Sequence, residues 1–181
     1  MKIFNIKLTS KKKVSYTPSK LFKVSFSNGW YVNITDNSKV SDNVFITVHG
    51  APGDHREWAG LEKEMEGTCR WINVVIPGFD NEDERRGNYS GSVEDFSQLL
   101  ILLIHELKIS KFIYVGHSLG SILAGYFINH YPEYVKGYIN ITGIVNLWYV
   151  GLMTFYRVTV AKYGFGVSPN RNALFRLLKK D

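Results

Sequence analysis

The feature that most constrains this fold is a series of short, continuous apolar runs separated by segments with helical spacing. Residues 44–48 are β-branched or aromatic at every position, as a strand buried on both faces requires. Residues 71–76 and 111–115 are two further runs of this kind, and residues 138–141 form a fourth. Because strands that alternate with helices are typical of βαβ units, the sequence predicts an α/β fold with a mostly parallel sheet.

A first helical segment follows the first of these runs. Asp54 and Glu57 have the spacing of a capping-box variant, which predicts that a helix begins here. Trp58, Leu61 and Met65 then fall on one face, and we expect that face to be buried.

Two longer helices and a hairpin complete the pattern. Ser92 has an acidic residue three positions later and predicts a second helix start, with apolar residues at helical spacing from 96 to 107. Residues 119–130 form the third predicted helix, which ends at a Tyr-Pro pair. Residues 24–35 alternate apolar and polar positions around an Asn-Gly turn, and this predicts a β-hairpin.

Composition excludes several classes of protein. Hydrophobic residues make up 45% of the 181 residues and charged residues 21%, which is typical of one globular domain. Cys69 is the single cysteine, so neither an internal disulfide nor a cysteine-based zinc site is expected. The net charge of +6 comes without a nucleic-acid-binding motif, so we expect a basic surface and no nucleic-acid partner. Residues 1–13 lack the apolar stretch of a signal peptide and no run reaches the ~20 residues of a membrane span, so we expect a cytoplasmic protein.

The motif that carries chemistry is Gly116-His117-Ser118-Leu119-Gly120, between the third apolar run and the third helix. This is G-x-S-x-G in the strand–turn–helix setting that gives the motif its meaning. The chain must turn sharply there, so small residues are needed around the serine. The turn holds the Ser118 hydroxyl at the carboxyl edge of the sheet, beside the positive end of the helix dipole.

Three further motifs accompany it. His49-Gly50-Ala51-Pro52-Gly53 follows the first apolar run, Ile-Pro-Gly-Phe-Asp occupies residues 76–80, and His-Tyr-Pro-Glu occupies residues 130–133. In this order the four motifs resemble the α/β-hydrolase superfamily over residues 20–145. The resemblance implies a mostly parallel sheet flanked by helices, here without the last strands of that fold.

The resemblance also implies roles for individual residues. Ser118 would be the nucleophile, and the backbone N–H groups of Leu119 and Ala51 would stabilise the oxyanion. The residues that would support these loops are His49, Gly50, Gly116, His117 and Gly120. The implied substrate is a small-molecule ester or related acyl compound, and neither a cofactor nor a metal is expected.

The acid and the base of such an enzyme are not evident. In the superfamily they follow the serine, but the chain after Ser118 contains one histidine, His130, and two carboxylate side chains, Glu133 and Asp181. His130 would lie ~18 Å from Ser118, at the far end of the helix that the serine opens. Asn146 occupies a position where some hydrolases place the acid, but an amide cannot replace it.

The upstream histidines leave a direct base role open for His49 and for His55. His105 is expected on the surface of the second helix, and His117 in support of the loop. We therefore expect a serine hydrolase that is incomplete and weakly active or inactive as this chain. The alternative is a non-catalytic binding or interaction protein that kept the turn and lost the other catalytic groups.

The sequence after residue 146 departs from the strand–helix rhythm. Residues 1–146 are interpreted as the hydrolase core, and residues 147–181 as the start of a cap or a tail. The aromatic stretch 147–156 suits a lid helix or, as the alternative, a helix on a membrane surface. The strand at 138–141 lacks a later parallel neighbour, so we expect an exposed edge through which the protein could self-associate.

Overall fold

Six strands form one sheet in the computed structural model, which describes residues 19–79 and 87–143. The strands are β1 (Leu21–Ser25), β2 (Tyr31–Asp36), β3 (Val44–Val48), β4 (Arg70–Val74), β5 (Phe112–His117) and β6 (Val135–Ile141). The helices are α1 (Ala59–Glu64), α2 (Val93–Glu106) and α3 (Leu119–His130), with 3₁₀ turns at His55–Trp58 and Pro132–Tyr134.

The strand order is β1-β2-β4-β3-β5-β6. Strands β4, β3, β5 and β6 run parallel, while β1 pairs antiparallel with β2, and β2 antiparallel with β4. The predicted α/β class and the mostly parallel sheet are therefore confirmed. Strands β3 and β5 are neighbours, with Val48 opposite Gly116, so the loops that follow these two strands leave the sheet side by side.

The main core lies where α2 and α3 pack on the sheet. The buried side of α2 carries the predicted periodic positions Phe96, Leu99, Leu100 and Leu103. Ser92 caps this helix, because its hydroxyl accepts a hydrogen bond from the N–H of Asp95 over 3.1 Å. The same core cluster includes Ile46, Val48, Ile72 and Tyr114 from the sheet.

The buried face of α1 differs from the prediction. Trp58 is buried as expected, but Leu61 is 41% exposed and Glu62 only 6%. The segment before α1 is a 3₁₀ turn, which winds more tightly than an α-helix and shifts the face that meets the sheet. The Glu62 carboxylate is tolerated there because it accepts hydrogen bonds from the Asn73 amide over 3.0 Å and the Ser19 hydroxyl over 2.5 Å.

Strand β6 forms one edge of the sheet within the described residues, as predicted for 138–141. Tyr138 is 39% exposed and Ile139 44%. The predicted boundary at residue 146, the cap or tail 147–181 and Asn146 lie outside the described residues. None of the described helices combines the length and the apolar character that crossing a bilayer requires.

Candidate functional site

The sharp turn between β5 and α3 places Ser118 in an unusual backbone conformation. Its φ is 48° and its ψ is −108°, a region that residues with a side chain rarely adopt. The Ser118 N–H donates to the carbonyl of Ile141, at the end of β6, over 3.1 Å. The Ser118 carbonyl accepts from the N–H of Ser121 over 3.0 Å and so begins the helix. The turn is therefore held by the neighbouring strand and by the helix it opens.

Two glycines make this turn possible. A Cβ atom built on Gly120 would lie 2.1 Å from the carbonyl oxygen of Val48, and one on Gly116 would lie 2.8 Å from the backbone of Ser121. Both contacts are with backbone atoms, which cannot move aside as the end of a side chain can. The first turn of α3 therefore sits directly on the end of β3.

The loop after β3 lies against residues 116–120, the turn around Ser118 that is called the elbow below. A Cβ on Gly50 would lie 3.1 Å from the Cβ of Ser118 and 2.7 Å from Nδ1 of His117. The loop closes on itself, because the Gly53 N–H donates to the Gly50 carbonyl over 2.8 Å. Ala51 is in this loop, next to Gly50, and Leu119 occupies the first turn of α3, where backbone N–H groups have no acceptor within the helix.

His49 is fully buried, and both of its ring nitrogens are engaged. Nε2 accepts from the N–H of Ile76 over 2.9 Å, so Nδ1 must carry the proton and donates to the Gly50 carbonyl over 2.7 Å. Burial lowers the pKa of His49. A direct base role for His49 is therefore not supported, because no ring nitrogen is free to take the proton of Ser118.

Glu57 was not anticipated as part of the site. Its Oε2 accepts from the Gly50 N–H over 3.2 Å, and its Oε1 lies 2.5 Å from Nδ1 of His117. The contact with His117 is close but lacks the alignment of a regular hydrogen bond. The only sequence signal was the spacing from Asp54, which was interpreted as helix capping. Asp54 does cap the 3₁₀ turn, but through the N–H of Arg56 over 2.8 Å.

His55, His105 and His130 each contact a side chain other than Ser118. His55 starts the 3₁₀ turn, with Nδ1 4.0 Å from Asp54. His105 is exposed on α2, as expected, 3.1 Å from the hydroxyl of Tyr134. His130 is the last residue of α3 and stacks on Tyr126, with ring centroids 3.9 Å apart. In the described ranges, no cluster of three or more His, Cys, Asp or Glu side chains is placed to hold a metal ion.

The sequence matches a known family profile. The profile, described as alpha/beta hydrolase fold, matches residues 43–168. Two curated proteins are similar to part of the chain. Protein PHYLLO, chloroplastic, of Arabidopsis thaliana is 26% identical over 107 residues, which are 56% of this chain and 6% of that protein. Coelenterazine h 2-monooxygenase of Renilla reniformis is 24% identical over 118 residues, which are 65% of this chain and 38% of that protein.

A solved structure shares the fold. It belongs to a set described as novel epoxide hydrolases from metagenomes of hot environments, with a TM-score of 0.63 and 22% identity over 70% of this chain and 43% of that one. The chain thus spans less than half the length of each of these three proteins. At this level of identity the structural similarity concerns the fold.

Proposed function

Since the chain belongs to the alpha/beta hydrolase fold family, we propose that it is a serine hydrolase that acts on a small-molecule ester or related acyl substrate. Ser118 is the nucleophile in this proposal. The observation that carries it is the Ser118 backbone, at φ 48° and ψ −108° where the helix begins. Such a conformation costs free energy in a residue with a side chain, and strained positions of this kind cluster at active sites.

The chemistry follows from the groups around the serine. Ser118 Oγ attacks the acyl carbon as its proton passes to a base, and the carbonyl oxygen gains negative charge. When the carbonyl re-forms, the bond to the alcohol oxygen breaks, and the alcohol leaves with that proton. The N–H groups of Leu119 and Ala51 are the proposed donors to the carbonyl oxygen, and one such donor is worth roughly 3–4 kcal/mol in other enzymes. A hydroxyl nucleophile favours acyl transfer, because it forms an acyl ester that water can then hydrolyse.

We expect the 181-residue chain to be weakly active or inactive. All five histidines lie within residues 19–79 and 87–143, and none of them hydrogen-bonds to the Ser118 hydroxyl. A serine without an oriented base is a poor nucleophile. Backbone donors and substrate binding alone still leave about 10³–10⁴-fold catalysis over water in triad enzymes stripped of their triad, so a faint signal is expected.

Hydrolysis of a p-nitrophenyl ester by the full chain tests this proposal. We expect turnover well below ~1 s⁻¹, and its further loss in Ser118→Ala. Ser110→Ala is the matched control, because Ser110 is exposed and lies before β5. Turnover above ~1 s⁻¹ that Ser118→Ala abolishes would show that a base has been missed. Turnover that is the same in Ser118→Ala would exclude Ser118 as the nucleophile.

A non-catalytic binding or interaction protein is the second candidate. The observation that favours it is that both ring nitrogens of His49 are engaged by the backbone and that no histidine of the described residues hydrogen-bonds to the Ser118 hydroxyl. The genomic sequence can distinguish the two candidates. A reading frame that continues past Asp181 into a strand ending in Asp, followed by a Gly-His pair, would support the hydrolase. A longer hydrolase should then react with a fluorophosphonate probe about 100-fold faster than the 181-residue chain. Equally fast labelling of both forms would show that the added residues are dispensable for activating Ser118, and no labelling of either form would favour the non-catalytic protein.

A further inference from the structure

We propose that Glu57 is a positioning residue that fixes the loop 49–53 against the elbow 116–120 and thereby orients the Ala51 N–H. The structural part of this inference stands on contacts alone. Its catalytic consequence rests on the proposed function. No motif in the sequence assigned a role at the site to this side chain.

The Glu57 carboxylate touches both loops at once. One oxygen accepts from the Gly50 N–H over 3.2 Å, and the other lies 2.5 Å from Nδ1 of His117, the residue before the serine. Gly53 lets the carboxylate approach, because a Cβ there would lie 2.6 Å from Oε2. The side chains of Glu57 and His117 are both only partly exposed, so the contact is shielded in part from water.

This contact completes the restraint of Gly50. Its carbonyl accepts from the Gly53 N–H over 2.8 Å and from Nδ1 of His49 over 2.7 Å. The same rigid peptide plane that contains this carbonyl also contains the Ala51 N–H, so fixing one fixes the direction of the other. Glu57 holds the preceding peptide plane through the Gly50 N–H. With both planes fixed, the glycine loses the freedom that would otherwise let the loop turn.

Hydrogen exchange of the Gly50 amide in the full chain, measured by ¹⁵N NMR, tests the restraint directly. We expect Glu57→Ala to speed this exchange about tenfold, the fold-change of losing one hydrogen bond of ordinary strength. Glu57→Gln keeps an oxygen that can accept from Gly50, so its exchange should stay within about threefold of wild type. Glu64→Ala is the control, because Glu64 is exposed on α1 and should leave Gly50 unchanged.

Unchanged Gly50 exchange in a folded Glu57→Ala variant would overturn the proposal. If that variant does not fold, Glu57→Asp serves instead, because the shorter side chain keeps the charge but cannot span both contacts. Faster Gly50 exchange in the Asp variant supports the proposal, and wild-type exchange overturns it.

A second readout separates this proposal from the proposed function. Fluorophosphonate labelling of Ser118 should slow about tenfold in Glu57→Ala and recover in Glu57→Gln. If wild-type Ser118 does not label at all, the chain is inactive and the Gly50 exchange still decides the role of Glu57. The proposed nucleophile fails on a different result, ester turnover that is the same in Ser118→Ala. Normal labelling in Glu57→Ala together with faster Gly50 exchange would overturn the catalytic consequence alone.

Discussion

The N–H of Ile76 donates to Nε2 of His49 over 2.9 Å, and this bond joins the loop after β4 to the loop after β3. Because a backbone N–H can only donate, the bond requires an unprotonated Nε2. The proton of the neutral ring must then sit on Nδ1, where it faces the Gly50 carbonyl. His49 is thus a structural histidine that has to remain neutral for the two loops to stay joined.

We expect the stability of the protein to fall as the pH drops below the ordinary histidine pKa of 6.5, because burial lowers the pKa of His49 in the folded state. Below 6.5 the unfolded chain binds a proton that the folded chain does not, so acid favours unfolding by up to about 1.4 kcal/mol per pH unit. Above 6.5 this contribution is constant.

Urea unfolding at pH 7.5, 6.5 and 5.5 measures this loss, and ¹⁵N NMR at pH 7.5 should show the Nδ1–H tautomer. His105→Gln is the control, since His105 is exposed and should leave the pH dependence unchanged. A ring protonated on Nε2 at pH 7.5 would contradict the assignment.

Gly120→Ala should destabilise the protein by about 3 kcal/mol or more, because the new methyl group would meet the backbone of Val48. Gly125 lies on the same helix, and a Cβ there meets nothing within 4 Å. Gly125→Ala should therefore stabilise by roughly 0.5–1 kcal/mol through helix propensity. Chemical denaturation of the two variants measures both changes in the free energy of unfolding. Equal changes in Gly120→Ala and Gly125→Ala would mean that α3 does not pack on β3 as described.

Ser118→Gly should give a more stable protein than Ser118→Ala by about 1 kcal/mol. Both substitutions remove the hydroxyl, but only glycine adopts a positive φ without strain. Thermal unfolding of the two variants under identical conditions provides the measurement. An alanine variant as stable as the glycine variant would argue that the turn is relaxed.

Ile139→Lys should reduce self-association of the protein, because a charged side chain on an exposed edge strand disfavours pairing with another chain. The free energy of unfolding should change by less than about 1 kcal/mol, since the side chain is already half exposed. Val40→Lys, at a position that is 99% exposed, is the control. Sedimentation over a range of concentrations distinguishes the variants, and a wild-type protein that stays monomeric throughout would remove the basis of this prediction.

The alternation of strands and helices was predictable from local pattern. A strand covered on both faces must be apolar throughout, so residues 44–48 match β3, and the helix 119–130 matches α3. The order of the strands was not predictable, because no local pattern states that β2 pairs antiparallel with β4 or that β4 lies between β2 and β3. That order depends on which surfaces cover one another after the chain has collapsed.

The site was predictable only where backbone geometry imposes residue types. Gly116 and Gly120 stood out because close approach of two backbones permits nothing larger, and Gly50 because its Cα faces the side chains of His117 and Ser118. Glu57 and Glu62 did not stand out, since a carboxylate on a short helix is ordinarily a solvated charge. Their roles depend on partners that are distant in sequence: Glu57 contacts His117, and Glu62 accepts a hydrogen bond from Asn73.

Because α3 packs directly on the end of β3, the glycines and the serine of the Gly-x-Ser-x-Gly sequence are under different selection. The glycines are selected for packing and the serine for catalysis. Gly116 and Gly120 are demanded by packing, so a lineage that abandoned catalysis would still retain them. Ser118 is different, because its strained backbone would be relieved by glycine. Genetic drift after a loss of activity should therefore erase the serine first. Among descendants of this protein, the residue at position 118 would record whether chemistry was still being maintained.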